Sequence, residues 1–351
     1  MAPLVRLLRV SPGPAAAVAE AVRGADPGVL VAEAIRHGLA GLVLHVLHGA
    51  GVELPPPHGE TLRGQAMTSV GIGMQVKRLL LRALDALAAE GITPVLLKGY
   101  GLGLRLYPEP FLRASSDVDL WVERAELDRA ERVLSTKLGL ARVEEAGEVD
   151  FEEERLHHLQ LAGKAGIVEL HYRPLSSFGS ALEGEGYRAR GVKAEVEGRP
   201  LWYLGPEDEL VYLAVHATHH MLQRLSWLHD LKLFALKHPA LDWDEVVAKA
   251  KAERMAGLAY FALDAARRLL DAPIPEAALA RLRPARWQAA LARRVFSEAW
   301  LGGAFLAEHK AVWYAAKALL AQDVRRTARM GLLRLYQAVR ERAVRSREVP
   351  R

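Results

Sequence analysis

Two aspartates, Asp117 and Asp119, flank Val118 in a stretch, 117–122, that alternates acidic and apolar residues at its start. A period of two reads as a β-strand, where residues i and i+2 leave the same face about 7 Å apart. Both carboxylates can then reach one divalent cation, or two neighbouring ones. The competing reading is an exposed edge strand with two solvated aspartates, or a pair neutralised by nearby Arg113. An acidic pair beside a core strand is costly unless it is paired or metal-bound.

The run Val168-Glu169-Leu170-His171 sets a carboxylate between aliphatic neighbours on a second expected strand. Glu169 and His171 share one face, and an inward Glu needs an explanation. Taken together, Asp117, Asp119 and Glu169 form an oxygen-donor cluster suited to Mg²⁺ or Mn²⁺. Upstream, Leu96-Leu97-Lys98-Gly99 falls at a strand-to-helix junction, where backbone amides favour phosphate and Lys98 adds a point charge. The alternative there is an ordinary turn with Gly for its geometry.

The elements that must position these residues follow from periodicity. Helical spacing is expected over 15–23, 27–37 and 74–90, with Pro55-Pro56-Pro57 as a break between them. Short strands are expected at 93–97, 117–122, 140–144, 156–162 and 167–172, with helices over 99–106 and 125–138. Gly163 to Gly166 form a hairpin connection. Another strand pair falls near 192–197 and 201–204, and residues after Pro206 read as helical. The expected class is α+β: a small mixed-sheet core at 74–205, flanked by helical parts at 1–73 and 206–351.

Bulk properties bound the rest. The chain has 351 residues, about half of them apolar, and no cysteine, which excludes disulfides, thiolate metal sites and Cys nucleophiles. No apolar run approaches the roughly 20 residues needed to cross a bilayer. The expectation is therefore a cytoplasmic protein without a membrane partner. The net charge of +5 is concentrated at the end, where nine Arg follow residue 324 against Glu341 and Glu348. That balance suits an anionic partner, or simply a solvated helix. Leu332, Leu333, Leu335, Tyr336 and Val339 make a helical stripe there, expected to dock on its own domain.

The stretch LLKGYGLGLRLYPEPFLRASSDVDLWV, followed by VELHYRPL, resembles a nucleotidyltransferase family of the DNA polymerase β-like fold. The resemblance covers roughly residues 75–240. It implies a nucleoside triphosphate, with ATP the expected one, bound with two divalent cations and a nucleotidyl group moved to an acceptor hydroxyl or phosphate. Asp117 and Asp119 would ligate the cations, and Glu169 would hold one of them and take the acceptor proton. Lys98 and Gly99 would form the phosphate turn. The wider superfamily carries Gly-Ser there, whereas Tyr100 follows Gly99 here, so Ser115 or Ser116 would have to supply the hydroxyl, with Arg113 beside them.

Downstream, His216 and His220 lie four apart on an expected helix, Arg224 continues that face, and Asp230 follows. Ala217 after His216 rules out the HExxH zinc pattern. The block reads as pocket lining, as a structural Arg224–Asp230 pair, or as a transition-metal site. Trp227 reads as core, as do Trp202, Tyr203 and Trp243 (core or interface). His157 and His158 read as surface or loop residues. Three functions compete: an Mg²⁺- or Mn²⁺-dependent nucleotidyltransferase acting on a protein, metabolite or nucleic acid; a nucleotide-binding regulatory protein with little turnover; and a DxD sugar transferase.

Overall fold

A computed structural model describes residues 2–143, 158–177, 180–182, 188–298 and 320. His157, the outer ends of the strands expected at 140–144 and 156–162, and the Arg-rich tail stripe lie outside the described residues.

Four short helices, α1 (Pro3–Val10), α2 (Ala15–Val22), α3 (Pro27–Arg36) and α4 (Ala40–Gly49), precede a long one, α5 (Pro56–Ala88). The middle of the chain alternates β1 (Val95–Leu96), α6 (Tyr100–Leu106), β2 (Val118–Trp121), α7 (Leu127–Leu138) and β3 (Ala141–Arg142). Then come β4 (His158–Gly163), β5 (Gly166–His171), β6 (Leu175–Ser177), β7 (Ser180–Leu182), β8 (Val192–Val196) and β9 (Arg199–Tyr203). Six helices complete the described chain: α8 (Pro206–His219), α9 (Leu225–Lys237), α10 (Trp243–Ala252), α11 (Ala256–Leu270), α12 (Glu276–Leu282) and α13 (Arg286–Val295).

Seven strands form one mixed sheet in the order β3-β4-β5-β2-β1-β9-β8, and β6 pairs only with β7. Within the large sheet β2 runs parallel to β5, and β1 parallel to β9; the other pairs are antiparallel. The fold class is α+β, as the sequence pattern implied.

Alternation along the strands divides the sheet into two faces. Val118, Leu120, Val168, Leu170, Leu159 and Leu161 pack with Leu79, Leu80 and Leu84 of α5 and Leu134 of α7. Each such side chain contributes about 1.5–3 kcal/mol when fully buried. The opposite face therefore carries Asp119, Trp121, Glu169 and His171. Trp121 joins a second core that α1–α4 share with α8–α13, including Leu7, Leu30 and Val43 with Tyr212, Phe234 and Phe261. All four residues of β2 are buried, so its alternation separates core from cavity rather than core from solvent.

The helix expected from Met74 instead begins at Pro56 and runs 33 residues. Prolines in a first turn lack only N–H groups that have no helical partner, so the triplet opens the helix rather than breaking it. Gly59, Gly64, Gly71 and Gly73 dilute the apolar pattern in its first half. Gly73 has a packing reason: a Cβ there would stand 2.7 Å from the Phe111 ring. Phe111 belongs to a 3₁₀ turn, Pro110–Leu112, that leads into the aspartate strand. The sequence pattern did not anticipate the β6–β7 hairpin.

The same lead-in segment is tied to α9. Arg113 meets Asp230 through both Nε and Nη2, at 3.0 and 2.9 Å from Oδ2, and the Tyr107 hydroxyl donates to Oδ1 at 2.7 Å. Asp230 is almost wholly buried, so removing one partner strands a charge in a dry site. Asp230→Ala is expected to lose about 3–5 kcal/mol of unfolding free energy, read from urea titrations. A loss below about 1 kcal/mol, the range of exposed pairs, would contradict this role.

Candidate active site

The parallel register of β2 and β5 sets Asp119 beside Glu169 and Trp121 beside His171. Asp117 precedes β2 and completes a trio with Asp119 and Glu169, whose carboxylate oxygens lie within 4.8 Å of one another. Lys98, at the end of the β1 segment, donates to Asp119 Oδ1 at 2.6 Å and to Glu169 Oε2 at 3.3 Å. His171 Nε2 stands 3.3 Å from Asp119 Oδ1 and 3.6 Å from Glu169 Oε2. Asp119 Oδ2 is buried and has no hydrogen-bond partner among the described residues.

The electrostatics follow from crowding in a poorly solvated place. Burial, and after it the charge of Asp119, push the Asp117 carboxyl up to about 6. Glu169 goes the other way: burial opposes ionisation, but the His171 hydrogen bond and the Lys98 ammonium outweigh it and hold Glu169 well below the usual carboxylate range. Burial would lower Lys98 and His171, yet the neighbouring carboxylates raise both.

Gly99 opens the turn next to the trio with φ +63° and ψ −126°, a combination that essentially only glycine adopts. A Cβ on residue 99 would lie 2.7 Å from Ser115 Oγ and 3.5 Å from Asp119 Oδ2. Ser115 Oγ in turn donates to the Asp117 carbonyl at 3.2 Å. Tyr100 points away from the turn, buried with its ring 5.8 Å from Phe111. Ser116 is exposed at the rim.

These groups line a cavity of about 620 Å³ that the helices roof. Its far wall carries His216, His220, Arg224 and Trp227 together with Gln65 and Ser69 of α5. The His216 and His220 rings lie 4.8 Å apart, and Trp227 stands 5.5 and 5.1 Å from them. Burial, aided by Lys98, pushes His216 well down, so it is neutral. Trp227, read as core from sequence, lines this cavity as well as packing on the core.

The geometry corrects two further expectations. Asp230 pairs with Arg113, not Arg224, because α9 turns Asp230 inward while Arg224 precedes the helix and remains exposed. Arg113 accordingly lines the cavity with its guanidinium already engaged. His158 is no loop residue: it opens β4 directly opposite His171, their rings 5.0 Å apart. Burial and the neighbouring His171 push it down to about 4. Tyr212 was also missed; its hydroxyl is buried in the cavity wall and has no partner among the described residues. An isolated Tyr on an apolar helix gives no sequence signal beyond core packing.

The groups of metal-ligating side chains close enough to share an ion, among the described residues, are Asp117–Asp119–Glu169 and His158–Glu169–His171. The His216 block is not among them. The first trio fits a hard divalent cation, since its donors are all carboxylate oxygens and one, Asp119 Oδ2, is buried without a partner.

The trio, the lysine and the glycine turn thus stand together on one mixed sheet, as the motif resemblance implied. Residues 23–271 match the sequence pattern of a family described as "uncharacterised nucleotidyltransferase", and the chain belongs to that family. No curated protein matches it. Among solved structures, it is similar to the antibiotic-resistance factor ANT(2'')-Ia in solution, at 16% identity and a TM-score of 0.37, covering 52% of this chain and 91% of that one. A crystal structure of ANT(2'')-Ia with adenylyl-2''-tobramycin gives 15% identity and a TM-score of 0.36, covering 52% and 97%.

Two outcomes follow from this geometry. Gly99→Ala is expected to cost about 1–3 kcal/mol through backbone strain, and adding Ser115→Ala should relieve the contact but not the strain. Equal stability of Gly99→Ala and the parent in urea titrations would refute it. With the Asp117 carboxyl pushed up to about 6 by burial and Asp119, Mn²⁺ at the trio would have to displace a proton below that point. Mn²⁺ affinity, read by electron paramagnetic resonance, should fall as pH drops through about 6. Asp117→Asn should flatten that fall, and an identical slope in the variant would count against it.

Proposed function

We propose that this chain transfers a nucleotidyl group from an NTP, with ATP the expected donor, to a hydroxyl or phosphate oxygen of an acceptor. Mg²⁺ or Mn²⁺ is the expected cofactor, held by Asp117, Asp119 and Glu169. The observation that carries the reading is the convergence of three carboxylates within 4.8 Å beside the Gly99 turn. Cations held by these three carboxylates would supply charge neutralisation for the phosphates in an in-line displacement.

The chain's own groups have separable tasks. Asp119 is almost wholly buried between Lys98 and His171 and orients the centre of the trio. Glu169 is assigned a ligand role rather than that of a proton acceptor, because His171 and Lys98 hold it so firmly ionised. Lys98 supplies a positive charge for the triphosphate at the Gly99 turn, where catalysis depends on positioning and charge neutralisation. The roof of His216, His220 and Trp227 offers flat aromatic surface for a base or an acceptor, and Arg224 and Ser116 stand at the cavity mouth.

The rival reading, a nucleotide-binding regulator without turnover, rests on the missing hydroxyl after Gly99. Ser115 Oγ lies against that glycine from the opposite segment, which supports a working phosphate turn. Incubation with α-labelled NTP, Mg²⁺ or Mn²⁺ and a cell lysate should transfer label and release pyrophosphate. Asp117→Ala should lower transfer about a hundredfold or more, the scale of losing one transition-state contact. Undiminished transfer by that variant, or calorimetric binding of Mg-NTP without pyrophosphate release, would refute the catalytic assignment.

A further inference from the structure

The trio uses only one part of the polar face of the sheet. On the side of β5 away from β2, the antiparallel register sets His158 of β4 directly across from His171, with Glu169 two residues back on the same face. Directly opposed residues bring their Cβ atoms to about 4.5–5.5 Å, and the two imidazole rings lie 5.0 Å apart. His158 Nε2 is 3.9 Å from Glu169 Oε1, and His171 Nε2 is 3.6 Å from Glu169 Oε2. The two oxygens of one carboxylate thus face two different imidazoles.

We propose that His158, Glu169 and His171 form a second cation site, of imidazole–carboxylate type, for a transition-metal ion such as Co²⁺, Cu²⁺ or Zn²⁺. The donor atoms of the three residues lie within 4.8 Å of one another. Donors on a shared ion at about 2.0–2.2 Å stand roughly 3–4 Å apart, so small rotamer changes complete the shell. The donor type sets the preference: imidazole nitrogen favours zinc, copper and cobalt, whereas carboxylate oxygen alone favours magnesium and manganese. Entry needs no rearrangement of the backbone. All three residues line the 620 Å³ cavity, and the His158 side chain keeps a quarter of its surface exposed.

His171 Nε2 stands near Asp119 and Glu169, and His158 faces Glu169 and His171. A site of this kind shares Glu169 with the trio, so a transition ion there takes a ligand from the magnesium centre. The inference rests on the reading above in one respect, that Glu169 is a cation ligand.

The test uses the full chain and two variants. Co²⁺ binding is followed by visible absorption, Cu²⁺ by pulsed electron paramagnetic resonance for imidazole nitrogen couplings, and Mg²⁺ by competition with Mn²⁺. The parent should show nitrogen couplings from two imidazoles at one equivalent of Cu²⁺. His158→Gln, at a partly exposed position chosen to spare the fold, should lose one coupling and bind Co²⁺ about tenfold or more weakly, with Mg²⁺ affinity unchanged. Asp117→Asn should do the reverse, weakening Mg²⁺ while keeping both couplings. Equal Co²⁺ affinity in the parent and His158→Gln would overturn the proposal. An equal loss of Mg²⁺ and Co²⁺ in that variant would overturn it too, reducing His158 to a support for Glu169. Unchanged Mg²⁺ affinity in Asp117→Asn, with Co²⁺ binding lost in His158→Gln, would instead sink the magnesium reading and leave the imidazole site standing.

Discussion

Asp117, Asp119 and Glu169 bring three carboxylates to within 4.8 Å of one another, with Asp119 buried and the other two partly so. Like charges at such separations repel strongly where the effective dielectric is low. The neighbourhood is arranged around relieving that repulsion. Lys98 contributes positive charge on one side of Asp119, and His171 Nε2 stands 3.3 Å from its Oδ1. Asp117 responds by holding its proton to about pH 6. What the protein's own cations leave uncompensated is a cluster with a buried, unpartnered oxygen, Asp119 Oδ2.

Keeping such a cluster in register requires rigid neighbours, and the fold supplies them from three directions. Below, α5 and α7 pack against Val118, Leu120, Val168 and Leu170, so the two strands that carry the acids cannot slide without exposing a core. Along the lead-in, Arg113 and Tyr107 clamp the segment entering β2 to Asp230 of α9. Above, α8 closes the cavity with Tyr212 and His216. The early and late helices share one core around these elements, so the ends of the described chain are coupled to the site through packing.

Much of this was readable in the sequence, for physical reasons that differ by residue. Asp117, Asp119, Glu169 and His171 were legible because strand periodicity alone assigns residues two apart to one face. The Lys98-Gly99 turn beside the trio was legible because a lysine and a glycine follow a short apolar run. His158 was not, since its partner is decided by the register of a hairpin and no spacing within its own segment announces it. The Arg113–Asp230 pair joins residues 117 apart in sequence, and Arg224 offered a nearer and misleading partner. The first half of α5 was hidden by its glycines and by prolines that act as a start signal rather than a stop. For the hydroxyl missing after Gly99 the pattern left Ser115 and Ser116 equivalent, and only the fold separates them, with Ser115 against the turn and Ser116 exposed.

The account stands on cations gathering at the trio with a nucleotide across them. Crystals of the full chain grown with Mn²⁺ and a non-hydrolysable ATP analogue would test this most directly, through the anomalous scattering of manganese. The expected result is manganese density within ligand distance of Asp117, Asp119 and Glu169, bridging to the analogue's phosphates, with the triphosphate at Gly99. Nucleotide bound elsewhere, or manganese absent from the three carboxylates when the analogue is in place, would contradict it.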